Sequence, residues 1–352
     1  MKWTRSPDQD LTVDHRGWRK GKNRSYSLRD EQRILKIHQE LDADRLQYFS
    51  GASAILQRYQ KLYPRAKPVS LRFIGRTLAK HGLSYKPKVR RKGVSRYLHY
   101  PEATINSLGK SLLEIDFIGK KFITGRTEPV NFIAFSLRFP RKLKHFQRID
   151  SETADEAIKR CQSFFRRFEK PQVVKLDNGF AFAGSGPWPR VLNSMVLFLL
   201  KEKIIPVFTA PRKPWNQASV EGANSIFSRK LWNRFEFKKL HDIDQRLGHF
   251  NHSYERYTGY QKPIRLEVRP TRFTPRVYFI RKVYEHPGTK RGYIDILKEQ
   301  ILLPKAYINM FVLAEWRLKS DKLMVYFEDN KKAIKIRTLP FALNPVVKNK
   351  VY

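Results

Sequence analysis

The stretch VVKLDNGFAF, residues 173–182, is where the fold is decided. Val173, Val174 and Leu176 make a short apolar run of strand type, and Asp177-Asn178-Gly179 follows as a turn. A strand that ends on an aspartate suits the carboxyl edge of an α/β sheet, where ligands are received. The same tripeptide also stands as an ordinary turn with no ligand. Neighbouring elements must separate the two.

Working outward, SLLEIDFIG (111–119), VNFIAFSLR (130–138) and KLKHFQRI (142–149) read as three strands. SETADEAIKRCQSFFRRF (151–168) reads as an amphipathic helix with a capping-box pattern, Thr153 to Glu156. QVVKL (172–176) is the fourth strand, LNSMVLFLLKEK (192–203) a core helix, and IIPVF (204–208) a fifth strand. Helices are expected over ASVEGANSIFSRKLWNRF (218–235) and over 239–253. Three strands, then helix, strand, helix, strand and helix predict an α/β domain with a mixed sheet and helices on both faces.

The flanks differ. Residues 1–27 are polar, basic and aperiodic, and are expected to form a flexible arm. Helices fit 28–41, with Leu28, Ile34, Leu35, Ile37 and Leu41 near one face, and 52–63, stopped by Pro64. A third fits 70–83, capped by Ser70, with Leu71, Ile74 and Leu78 on one face and an end at Gly82. Arg72, Arg76 and Lys80 recur every four residues on another face. Three short helices with a basic last one over 28–85 suggest a helix-turn-helix DNA-binding region; a plain helical bundle is the competing reading. A basic linker carrying Arg90, Arg91 and Lys92 spans 86–104, ahead of the core at 105–264. From 265 to 352, YIDIL, YINMFVLAEWRL, LMVYFED and KAIKIRTL are short strands between polar turns. A small antiparallel β-barrel is expected there.

Charge narrows the function. The 352 residues hold 71 Lys+Arg against 32 Asp+Glu, a net +39, with 41% hydrophobic content, enough for a real core. The excess is +16 over residues 1–100, +12 over 101–264 and +11 over 265–352, so it is no single basic tail. A polyanion is the partner such a chain needs, nucleic acid before a membrane surface. The single cysteine, Cys161, excludes an internal disulfide and a cysteine zinc cluster, and is expected in the core. No apolar run has membrane-span length and the N-terminus has no signal-type core, so a cytoplasmic, DNA-associated protein is expected, in the nucleoid and without a membrane partner. His81, His145 and His241 show no ligand spacing.

Three acids stand out. Asp116 interrupts an apolar strand, where an unpartnered carboxylate is costly. Asp177 ends the fourth strand, and Glu221 lies in the first turns of a helix that follows Pro214. Phosphodiester chemistry needs three such acids from separate elements to hold two divalent ions, Mg²⁺ or Mn²⁺. Glu114 shares the strand face of Asp116 and competes as a ligand.

LLEIDF, VVKLDNGFAF and PRKPWNQASVEGANSIFSRKLW together resemble the catalytic core of the Asp-Asp-Glu integrase and insertion-sequence transposase superfamily. The resemblance implies an RNase H-like fold and a catalytic, metal-binding triad at Asp116, Asp177 and Glu221. Gly179, Pro214, Asn216 and Asn224 match positions flanking the triad. It further implies a polynucleotidyl transferase that binds element ends, frees a 3′-hydroxyl and joins it to target DNA, working as a homo-oligomer. Two departures are visible. Asp177 and Glu221 lie 44 positions apart, longer than is usual in the family, with an insertion around 183–190. Ser228 stands where a basic residue is often found, with Arg229 and Lys230 beyond it. Lys213, Arg229 and Lys230 are expected DNA contacts, and Trp215 sits beside them. A purely hydrolytic nuclease and a non-catalytic helix-turn-helix regulator are the alternatives.

Overall fold

A computed structural model describes residues 26–44, 47–84, 100–183, 188–211, 217–261 and 273–345. The chain divides into two compact units, Met1–Lys88 and Val89–Tyr352.

The first unit holds helices α1 (Leu28–Ala43), α2 (Ala52–Leu62) and α3 (Leu71–Lys80). Ser27 caps α1 in a reciprocal box with Asp30, and Ser70 caps α3 through the Phe73 amide. Ile34, Ile37, Ile55, Tyr59, Val69, Ile74 and Leu78 form its core. Tyr59 donates its buried hydroxyl to Asp30 at 2.7 Å, tying α2 to the start of α1. Leu28 and Leu71, assigned to the apolar faces, are instead exposed, because each is the first residue of its helix. Tyr26 stacks on Phe73 at 4.2 Å, so the last residues of the expected arm belong to this unit.

The second unit begins with α4 (Glu102–Asn106), which takes up the end of the expected linker. Then come β1 (Leu112–Lys121), β2 (Val130–Phe139), β3 (Leu143–Ile149), α5 (Ala154–Arg167), β4 (Val173–Leu176), α6 (Phe180–Ala183), α7 (Ser194–Lys201), β5 (Ile205–Phe208), α8 (Ala218–Lys230) and α9 (Leu240–Thr258). β1, β2 and β3 are antiparallel neighbours, while β4 and β5 run parallel to β1. Alternation along β2 sends Ile133 and Phe135 into the cluster with Phe164 of α5, and Phe132 toward Phe227 of α8. Helices thus cover both faces of a mixed α/β sheet. α8 ends at Lys230, five residues early, where Leu231 buries and Trp232 turns onto Phe132 and Phe227. α9 runs past 253 to Thr258 and stops at Gly259, whose φ of 64° is the left-handed cap position glycine favours.

The C-terminal strands correct the expectation of a separate β-barrel. They are β6 (Arg276–Lys282), β7 (Tyr284–Glu285), β8 (Gly292–Ile296), β9 (Glu299–Leu303), β10 (Phe311–Arg317), β11 (Lys322–Asp329) and β12 (Lys332–Pro340). β6 pairs in parallel with β5 and antiparallel with β10, giving one nine-stranded sheet ordered β12-β11-β10-β6-β5-β4-β1-β2-β3. β7, β8 and β9 form a separate small sheet. The reason is the free edge of β5: an unpaired central-type strand recruits a partner, and RVYFIRK is apolar enough to be buried there. Sequence patterning overlooked this strand. Residues 105–264 and 265–352 therefore share one core. Among the described residues, no helix is long and apolar enough to cross a membrane.

Candidate active site

The site forms where β1, β4 and α8 meet. β1 and β4 pair in register, Glu114 beside Lys175, and both side chains are buried on the α8 side of the sheet. Lys175 Nζ lies 3.6 Å from Glu114 Oε1, and Arg138 adds a second cation at 3.4 Å. Two residues further along each strand, the same face carries Asp116 and Asp177. The inner pair is neutralised; the outer pair is two like charges. Asp116 responds: burial first, then repulsion from Asp177 and Glu221, raise its pKa to about 7. Burial also raises the pKa of Asp177.

Asp177 is shaped by its turn. Its Oδ1 accepts the Gly179 amide at 2.9 Å, and a Cβ on Gly179 would stand 3.0 Å from both carboxylate oxygens. Glycine is needed here for close approach. The turn and the carboxylate site are thus one feature.

Glu221 is placed by the first turn of α8, which is fastened to three strands. The Val220 amide donates to Glu114 Oε2 at 3.0 Å, the Ser219 hydroxyl pairs with Ser136 of β2 at 2.8 Å, and Lys144 of β3 donates to the Ser219 carbonyl at 3.0 Å. The first of these satisfies a helix-end amide that has no intrahelical partner. It also shows what Glu114 does: it anchors α8 and pairs with Lys175, so it is spoken for and does not compete with Asp116. One turn past Glu221, Asn224 donates Nδ2 to Asp116 Oδ2 at 3.0 Å. Asn224 Oδ1 is buried and has no hydrogen-bond partner.

Asp177 and Glu221 both act electrostatically on Asp116, and carboxylate oxygens are the ligands that a hydrated divalent cation takes. As oriented, no three Asp, Glu, His or Cys side chains among the described residues close on a single ion position.

A second network was not expected from sequence. Arg281 of β6 is buried, yet all its bonds go to neutral oxygens. It donates to the carbonyls of Thr209 (3.0 Å), Ile280 (2.9 Å) and Asp295 (2.8 Å), and to Asn178 Oδ1 (3.0 Å). Asn178 in turn donates to the Thr209 carbonyl. Burial lowers the Arg281 pKa to about 10, which still leaves it charged at neutral pH. The residue after Asp177 is thereby clamped to the C-terminal strands. The available signal was a charge inside an apolar strand, the same signal that marked Asp116.

The expected DNA contacts divide. Arg72 and Arg76 are exposed on α3, whereas Lys80 reaches Glu31 at 2.7 Å. Arg229 is exposed on α8, its guanidinium folded back on the Ser225 carbonyl at 3.3 Å, and Lys230 is half-buried. Arg90, Arg91, Lys92, Lys213, Pro214, Trp215 and Asn216 lie outside the described residues. Pro189 and Arg190, from the insertion, bond to Asn344, and Arg190 also pairs with Glu299 at 3.0 Å. Cys161 is buried in the main core, and His145 packs against Phe164 and Phe168.

No protein-family model matches the chain, and no curated protein matches it. Among solved structures it is similar to a chain in the cryo-EM structure of a simian T-cell lymphotropic virus intasome in complex with PP2A regulatory subunit B56 gamma. That likeness has 14% identity and a TM-score of 0.36, over 89% of this chain and 99% of that chain.

Proposed function

We propose that the protein is a DNA transposase or integrase of the Asp-Asp-Glu type. The observation that carries this is the uncompensated outer pair, Asp116 and Asp177, one register step beyond a neutralised Glu114–Lys175 pair and facing Glu221. Like charges on one buried face are unfavourable unless the site is made for a cation. The strand order β3-β2-β1-β4-β5, antiparallel then parallel and covered by helices on both faces, is compatible with an RNase H-like core. The net charge of +39 supports a polyanionic substrate.

Asp116, Asp177 and Glu221 would hold two Mg²⁺ or Mn²⁺ ions, with Asp116 shared between them. Bound there, the ions supply activation of a water or 3′-hydroxyl and stabilisation of the leaving oxygen. The residues of the chain do the positioning. Asn224 fixes the rotamer of Asp116, Gly179 that of Asp177, and the Glu114–Val220 bond sets the height of Glu221 along the sheet. The three-helix unit, with Arg72 and Arg76 outward on α3, serves as a helix-turn-helix reader of element ends. Homo-oligomerisation follows from the need to bring two ends together.

The test is a joining assay. A duplex with a free 3′-hydroxyl, its sequence taken from inverted repeats flanking the gene, is incubated with supercoiled plasmid and Mg²⁺. Covalent oligonucleotide–plasmid product is expected. Nicked plasmid without joined product would instead indicate a nuclease that only hydrolyses.

A further inference from the structure

We infer that an aromatic pocket beyond the carboxylates binds one unpaired nucleobase of the DNA; this rests on the DNA-processing reading above. The pocket encloses about 480 Å³ between the segment after β1 and the segment after α8. Phe122, Trp232, Phe235 and Phe237 supply its flat walls, with Glu236 and Lys238 at its polar side. Phe122 is 60% exposed, so its ring is accessible. Trp232 packs against Phe132 at 5.6 Å and against Phe237 at 5.3 Å.

Charge selects the occupant. The Arg246 guanidinium lies 4.4 Å from the Phe235 ring centre and Arg234 lies 5.7 Å from it. Lys238 and Lys239 follow directly. The nearby acids Asp242 and Asp244 are engaged, one with the Lys239 amide at 3.2 Å and the other with Arg148 at 2.8 Å. Cations beside aromatic rings are the arrangement that holds single-stranded nucleic acid: phosphates meet the cations and a base meets the rings. The Glu236 carboxylate offers an acceptor for an exocyclic amine. A paired base presents only its edge, so the pocket discriminates against intact duplex.

Its location fits the same DNA. Phe122 directly follows β1, six residues past Asp116, about 20 Å at strand rise. α8 ends six residues past Asn224, about 9 Å at helix rise, and Trp232 lies in the turn that follows. A strand crossing the carboxylates would reach the pocket after roughly four to six nucleotides.

The experiment uses the full chain in EDTA, so that binding is read without chemistry. Oligonucleotides carry 2-aminopurine, either in a single-stranded segment or within a duplex; anisotropy gives affinity and 2-aminopurine fluorescence reports stacking. Phe122→Ala, at an exposed position, is expected to weaken single-strand binding about tenfold and to leave duplex binding unchanged. Phe122→Trp is expected to retain both affinity and fluorescence quenching. Equal loss on duplex and single strand, or no loss on either, overturns the proposal. So does a change in sedimentation mass on Phe122→Ala, which would mean that another copy of the chain fills the pocket. Because the assay needs no divalent ion, its failure leaves the joining reaction standing, and failure of the joining reaction leaves this binding result readable.

Discussion

Asn224 Nδ2 donates to Asp116 Oδ2 at 3.0 Å, and this one bond links the helix that carries Glu221 to the strand that carries the first acid. It couples the position of α8 along the sheet to the orientation of Asp116. Removing the bond by Asn224→Ala should therefore reduce metal-dependent activity by roughly 10- to 100-fold, the usual cost of losing a partner that orients a metal ligand. The loss should appear mainly as a higher metal requirement, measured by titrating Mn²⁺ at fixed DNA.

Asp116 gives a pH signature. Burial raises its pKa in the fold to about 7 from the ordinary 3.8. The folded state therefore binds more protons than the unfolded one between about pH 4 and 7, and stability falls as pH rises through that window. Asp116→Asn removes the effect. Without divalent ions, the variant should melt at a higher temperature than the parent at pH 8 and at the same temperature near pH 4. Calorimetry across pH checks this, and Mn²⁺ should narrow the gap at pH 8 by stabilising the parent alone.

Glu114 should behave as a structural residue. Glu114→Gln leaves Lys175 buried without its countercharge, a loss of about 3–5 kcal/mol by the usual penalty for breaking a buried pair. Denaturant unfolding should show it, and added Mn²⁺ should not restore it.

Arg281→Met should strip the guanidinium bonds from the Thr209 and Asp295 carbonyls, leave Thr209 with Asn178 alone and release Asn178 Oδ1, costing about 3 kcal/mol or more. Arg281→Lys keeps the charge but has one nitrogen where the guanidinium uses three, so it should recover only part of the stability. Both variants should lose activity beyond their loss of folded fraction, because Asn178 adjoins Asp177.

Much of the core was legible in the sequence because its elements are periodic and its breaks are chemical. Val173–Leu176 reads as a strand, Asp177-Asn178-Gly179 as its end, and Asp116 as a carboxylate out of place. β6 was not legible, since RVYFIRK becomes a strand only because β5 offers it an edge. The barrel expectation failed for the same reason: local β propensity says that strands form but not which sheet they join. Leu28 and Leu71 fit the helical period and are nevertheless exposed, because periodicity does not tell where packing begins. The Arg281 network, which joins β6, Thr209 and Asn178, depends on contacts between segments about a hundred residues apart.

The most direct test of the triad is nicking of supercoiled plasmid by the purified protein with Mn²⁺, which requires no knowledge of the end sequence. Each of Asp116→Asn, Asp177→Asn and Glu221→Gln should lower the nicking rate by at least about a hundredfold, while plasmid binding in a gel-shift assay stays unchanged. Undiminished nicking by folded Asp177→Asn protein would contradict the account.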